Sequence, residues 1–142
     1  MLIKVPVRDN VTNRLVRLES SVSRVFKKAM DWAEEDFRRE IESKKWDWPN
    51  DTKRRNKTLA GSPRDIVDLA GLRDSQKREN IDDNTTVFTW TGGEGRSYAL
   101  EIHDGYTSKG GNDMPARPFT DETISRLDEV ISGLLSEEIR NV

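Results

Sequence analysis

Two prolines, Pro115 and Pro118, stand three residues apart in the segment Met114–Phe119 and stiffen its backbone. Each proline fixes its own φ at about −65° and disfavours helical geometry in the residue before it. Phe119 then gives the stiff segment one large apolar side chain to bury. The residues before it, Gly105 to Met114, are polar and rich in glycine, so we expect a long loop that becomes ordered only on a neighbouring molecule. A long loop that is pinned at one end is typical of a functional or interface loop.

Apolar residues recur every three or four positions in two stretches, and this spacing predicts two helices. The first runs from about Ser20 or Ser21 to about Lys44, with a turn expected before it over Asp9 to Arg14. Its apolar positions are Val22, Val25, Phe26, Ala29, Trp32, Ala33, Phe37 and Ile41. At about 24 residues this helix would be roughly 36 Å long, which is enough to supply a whole layer of a small core.

The second predicted helix runs from Asp121 to about Ile139. Thr120 is the expected N-cap, and Phe119 with Ile124 would form a hydrophobic staple across the helix start. The first two helical residues are acidic, and the helix dipole favours negative charge at that end.

Between the helices, β-branched and aromatic residues predict strands. Thr85–Thr91 has the strongest strand character, and a turn at Asp82–Asn84 precedes it. We expect a strand with one solvated face from Leu72 onward and a further strand from Ser97 to His103. Strands and turns at this spacing indicate an antiparallel meander. A short edge strand is also predicted at Leu2–Val7, where a proline cannot donate to a ladder.

The predicted fold class is therefore α+β, with the long N-terminal helix and the C-terminal helix packed on an antiparallel β-sheet meander, and with a long interface loop. The chain is expected to form a single domain, 1–142. Apolar residues make up only 33% and charged residues 35%, so the core is small and much of the surface is solvated or faces another subunit. No apolar run approaches the roughly 18 residues of a membrane span. The N-terminus lacks the features of a signal peptide.

Catalytic, metal and cofactor sites each need a particular set of reactive or metal-binding side chains, and this sequence does not contain such a set. Cysteine is absent, which excludes disulfides, thiolate metal sites and cysteine nucleophiles. The sole histidine, His103, lies near Glu101 and Asp104, but one histidine cannot build a His-rich metal site. We interpret His103 as a polar residue at a strand end and predict no enzyme activity, no metal and no cofactor.

Trp46 and Trp48 flank an aspartate and are followed by basic residues, a pattern with two interpretations. Aromatic side chains with interleaved bases can stack on nucleobases and contact phosphates, so a small nucleic-acid-binding module is the alternative function. In the other interpretation the tryptophans cover the end of the helix and the basic run is a solvated loop. The net charge of −2 favours this second interpretation. The residues that could face DNA are Lys53, Arg54, Arg55 and Lys57.

A series of short motifs follows the long helix. They are Ser62-Pro63, Asp68, Gly71-Leu72-Arg73, Ser75, Tyr98-Ala99, Glu101, His103, Gly105 and Met114-Pro115-Ala116-Arg117-Pro118-Phe119. In this order, from about Ser21 to about Leu135, the chain resembles the tail-completion, or head–tail joining, proteins of tailed bacteriophages, which are also described as neck or virion-morphogenesis proteins. Ala70 stands where that family more often has threonine, and the insert Trp46–Lys57 has no counterpart in it.

The resemblance implies a structural virion protein without catalysis. Such proteins form homo-oligomeric rings, commonly hexameric or dodecameric, between the portal or adaptor proteins of the capsid and the tail-tube or tail-terminator proteins. The expected location is the neck of the virion, after assembly in the host cytoplasm and without a membrane, and passing DNA would contact the ring weakly. The predicted interface residues are Tyr106, Lys109, Asn112, Met114, Arg117 and Phe119.

Overall fold

The computed structural model describes residues 10–49, 52–54, 57–67, 71–92 and 98–141. Along these ranges the elements are α1 (Asn10–Glu42), α2 (Gly71–Asp74), β1 (Lys77–Asp82), β2 (Thr85–Thr89), α3 (Ala99–Asp104), β3 (Tyr106–Thr107), β4 (Asp113–Met114) and α4 (Asp121–Arg140). β1 pairs with β2 and β3 with β4, both antiparallel. The predicted α+β class, with a long N-terminal helix, a C-terminal helix and antiparallel strands, is confirmed. The edge strand predicted at Leu2–Val7 lies outside the described residues.

Helix α1 is longer than predicted, because it begins at Asn10. The turn expected over Asp9 to Arg14 is therefore wrong where the structure describes it. Asparagine and threonine are common in turns, but this segment has no proline or glycine, and the helical apolar spacing continues through Leu15 and Leu18. With its 33 residues, α1 is about 50 Å long. Its first part is not covered by other elements, since residues 14–20 are all exposed.

Helix α4 confirms the predicted C-terminal helix and packs along the second part of α1. Arg24 donates to the carboxylate of Glu138, near the end of α4, at 3.2 Å. Arg126, near the start of α4, donates to the Asp36 carboxylate at 2.5 Å, and Thr123 Oγ1 donates to the same carboxylate at 2.9 Å. Because early α1 residues meet the end of α4, the two helices run in opposite directions.

The start of α4 differs from the prediction. Thr120 occupies the N-cap position, but its hydroxyl makes no capping bond to the helix backbone. It lies 2.8 Å from His103 Nε2 instead. The staple is also wrong, because Phe119 is 2% exposed and Ile124 is 57% exposed. Phe119 packs in the core instead, with its ring centre 5.4 Å from that of Trp90. Its side chain therefore does not lie on the surface of α4, where the staple would need it.

Strands β1 and β2 form a hairpin that packs on α1. The strongest predicted strand, Thr85–Thr91, is confirmed as β2, and its Phe88 meets Phe37 of α1 with 5.1 Å between ring centres. The strand predicted from Leu72 starts only at Lys77, because the residues before it form helix α2. β1 is solvated over most of its length, as expected for a strand with a wet face.

The third strand of the meander, predicted from Ser97 to His103, is wrong, because Ala99–Asp104 is helix α3. Side-chain exposure follows a helical period here. Ala99 is 7% exposed and Ile102, three residues on, is half-buried, whereas Leu100 is 71% exposed. Alanine, leucine and glutamate also favour helix over strand. The sheet next to α1 is therefore a two-stranded hairpin.

The core collects side chains from segments that are far apart in the chain. Its buried members are Ile41, Ile66, Leu72, Ala99 and Phe119, with Trp46, Val67, Trp90, Tyr98 and Ile102 packed against them. The burial predicted for the aromatic side chain of the proline-rich segment is thus confirmed.

The loop that was expected to be ordered only by a neighbour orders itself, so this expectation is wrong. β3 and β4 form a small hairpin, which we call the tip hairpin (Tyr106–Met114). Inside it, the Ser108 N–H donates to the Asn112 carbonyl oxygen at 2.8 Å, and Thr107 Oγ1 donates to the Asp113 carboxylate at 2.8 Å. Local hydrogen bonds replace the apolar burial that this polar segment lacks.

Candidate functional site

The base of the tip hairpin is held by Arg117, which is only 1% exposed although it carries a charge. Its backbone N–H donates to the Ile102 carbonyl oxygen at 2.9 Å, which ties the segment to α3. Its Nε donates to the Asp47 carbonyl oxygen at 3.2 Å, which ties it to the segment after α1. Arg117 thus joins parts of the chain that are far apart in sequence.

Trp48 lies between two arginines. The guanidinium carbon of Arg117 is 3.8 Å from the centre of the Trp48 ring, and that of Arg64 is 4.1 Å from it. Two guanidinium groups this close to the centre cannot share one side of the ring, so they cover both sides. Contacts of this kind between a desolvated cation and an aromatic face contribute on the order of 1–2 kcal/mol each.

Arg64 is 5% exposed and is positioned by the backbone around it. Its Nε donates to the Asp65 carbonyl oxygen at 2.7 Å, and its Nη2 donates to the Val67 carbonyl oxygen at 3.1 Å. The Trp46 and Arg64 backbones bond each other in both directions, at 3.0 and 2.9 Å. The tryptophan-rich segment and the residues after Ser62-Pro63 are therefore one connected unit.

Burial lowers the pKa of Arg117 below its ordinary value; the nearby Tyr106 hydroxyl opposes this effect and the positive charge of Arg64 adds to it. Within the part of the chain that the structure describes, Arg117 Nη2 and Trp48 Nε1 are buried and have no hydrogen-bond partner. An unpaired buried donor costs about 1–3 kcal/mol, so the packing of the stack has to offset this cost.

The stack leaves little aromatic surface for a nucleobase. Both faces of Trp48 carry arginine. Trp46 packs against the core, donates its Nε1 proton to the Glu40 carbonyl oxygen at 2.8 Å, and carries the Lys45 ammonium 4.8 Å above its ring. Base stacking, as the alternative function would use it, finds no support in this geometry. Trp46 instead contacts the end of α1 through its bond to the Glu40 carbonyl oxygen, as the other interpretation expects, whereas Trp48 lies between the two arginines.

The basic segment at 53–57 is described at its two ends. The Lys57 N–H donates to the Arg54 carbonyl oxygen at 2.8 Å, so the described ends lie close together. Lys53 and Lys57 are exposed and Arg54 is half-buried, whereas Arg55 lies outside the described residues. DNA contact by these residues stays a prediction.

The six predicted interface residues divide into two groups. Lys109 and Asn112 are exposed, Tyr106 is 40% exposed and Met114 is half-buried, so these four lie on the tip hairpin at or near the surface. Arg117 and Phe119, in contrast, are buried inside their own chain and present no side-chain surface to a neighbour. The first group can contact a partner, and the second group anchors the hairpin.

His103 links α3 to the start of α4. Its Nδ1 lies 2.7 Å from the Asp104 carboxylate, and its Nε2 lies 2.8 Å from the Thr120 hydroxyl and 3.4 Å from the Asp121 carboxylate. Its ring meets Phe119 edge-on, with 5.5 Å between the centres. The prediction of a strand end at His103 is wrong, because the residue lies in a helix. Its contacts tie two helices together.

One surface depression, with a volume of about 420 Å³, is lined by Arg38, Glu42, Arg73 and Asp74. Arg73 bonds the carboxylates of Glu42 and Asp74, each at 3.0 Å. Arg73 is therefore paired twice, and Arg38 pairs with Glu34, outside the lining, at 3.8 Å.

Sequence reasoning placed Arg117 among the interface residues and missed Arg64. A signal was present, because Arg64 directly follows the Ser62-Pro63 motif and Arg117 lies within the proline-rich segment. A buried arginine needs an acidic or aromatic partner, and Trp48 was an aromatic residue for which the sequence left two interpretations open. Only the folded chain shows that the three meet.

Within the described ranges, no group of three His, Cys, Asp or Glu side chains is placed to hold a metal ion. None of the described helices is long and apolar enough to cross a membrane. Comparison of the chain with family models, curated proteins and solved structures finds no match.

Proposed function

We propose that this protein is a subunit of the ring that joins the DNA-filled capsid of a tailed bacteriophage to its tail, in the neck of the virion. The observation that carries the proposal is the tip hairpin, an ordered polar projection mounted on the buried side chains of Arg117 and Phe119. The segment Met114–Phe119, taken together with the element Gly71-Leu72-Arg73 and Ser75 that precedes it, is also the most specific part of the resemblance to the tail-completion family. One of the two motifs that suggest the family is thus the motif that fixes the projection to the core.

A joining protein benefits from a projection that is ordered before it meets its partner, because less conformational entropy is lost on binding. The tip hairpin meets this requirement through its own hydrogen bonds. It presents Tyr106, an aromatic residue of the kind enriched at interfaces, together with Lys109 and Asn112. These three side chains suit a polar contact with a ring neighbour or with the next protein along the neck.

The proposed partners follow from this position in the virion. Copies of the chain form a hexameric or dodecameric ring, with portal or adaptor proteins on one side and tail-tube or tail-terminator proteins on the other. The ring needs no catalysis, metal or cofactor, and it is assembled in the host cytoplasm. Basic residues at 53–57 would line the path of the passing DNA and contact it weakly.

The triple variant Tyr106→Ala, Lys109→Ala and Asn112→Ala tests the role of the tip hairpin. These residues lie at the surface, so the subunit should keep its melting temperature, whereas the yield of particles with joined heads and tails should fall. The matched control is Lys77→Ala, Glu79→Ala and Val87→Ala, on the exposed side of the other hairpin. Joining at the wild-type level by the tip variant, counted by electron microscopy, would contradict the proposal.

The alternative function is a nucleic-acid-binding module built on Trp46–Lys57. Because arginines cover both sides of Trp48, such a module would bind nucleic acid through its basic residues and not through base stacking on Trp48. Heparin chromatography at physiological salt separates the two functions. A nucleic-acid binder should be retained, since its affinity comes from contacts with phosphate-like charges. A ring protein with a net charge of −2 should flow through.

A further inference from the structure

We draw no further inference here: the strongest candidate, the set of exposed apolar side chains that Leu15 and Leu18 form in the N-terminal part of α1 and that Ile124 and Ile139 form on α4, carries none, because nothing in the structure shows what covers these surfaces.

Discussion

The guanidinium carbon of Arg117 lies 3.8 Å from the centre of the Trp48 ring, and Arg64 covers the other side of that ring. This relationship joins the segment after α1 to the base of the tip hairpin. Arg117 is 1% exposed, so the stack belongs to the interior and is not a surface offered to nucleic acid. It sets the position of the tip hairpin relative to the helices.

Trp48→Ala should lower the free energy of unfolding by about 3 kcal/mol or more, because it removes a large side chain and leaves two buried guanidinium groups without their ring. Trp48→Phe is the matched control, since it keeps an aromatic face while it replaces the indole with a smaller ring and removes an N–H that has no partner in the described chain. It should lose about half as much or less. Urea unfolding of both variants checks this, and equal losses would contradict a stack held by the aromatic face.

Phe119→Ala should also cost about 3 kcal/mol or more, because a buried aromatic side chain is replaced by a cavity. Ile124→Ala, at a 57% exposed site in the first turns of α4, is the comparison and should change stability by less than about 0.5 kcal/mol. Urea unfolding again provides the values. A loss below about 1 kcal/mol for Phe119→Ala would mean that the side chain is not the anchor of the proline-rich segment.

Glu138 should make the α1–α4 contact sensitive to acid. The hydrogen bond from Arg24, with the positive charges of Arg24 and Lys28, lowers the pKa of Glu138 below its ordinary value of 4.5. A carboxylate whose pKa is lowered in the folded state stabilises the fold above its ordinary pKa, and this contribution is lost as the pH falls through the lowered value. Melting temperatures between pH 7 and pH 3 should therefore fall more for the wild type than for Glu138→Gln. Parallel curves would refute the ion pair.

Charge reversal in the basic segment, by Arg54→Glu and Arg55→Glu, should change DNA retention or ejection by assembled particles and leave ring formation intact. The reason is electrostatic, since backbone phosphates attract the basic residues without regard to sequence. Lys44→Glu with Lys77→Glu, at exposed sites elsewhere, is the control for altered net charge. Unchanged DNA handling by the first pair would contradict a DNA-facing role.

Elements whose residue pattern fits only one type of secondary structure were predictable from the sequence. α4 was expected from Asp121 to about Ile139 and runs from Asp121 to Arg140, because its apolar residues fit only a helix. β2 was predictable from its β-branched and aromatic residues. Ala99–Asp104 was not, because the alternation of Leu100 and Ile102 fits a strand while Ala99 and Ile102 fit a helix, and tertiary burial decides between them.

The candidate site was only partly predictable. Burial of Phe119 follows from one apolar side chain in a stiff segment. Burial of Arg117 does not, because an arginine in a polar segment is expected at the surface. Its aromatic partner Trp48 comes from a segment near the end of α1, and local sequence carries no information about that long-range contact. The sequence did not predict that the tip hairpin is ordered, because the hairpin is stabilised by local hydrogen bonds and not by buried apolar residues.

The mass of the purified chain, measured in solution and by negative-stain microscopy with and without isolated tails or capsids, tests the proposed ring most directly. We expect either rings in solution or a monomer that becomes a ring on the particle. A stable monomer that ignores both tails and capsids but is retained on heparin would contradict the joining role and favour the nucleic-acid-binding function.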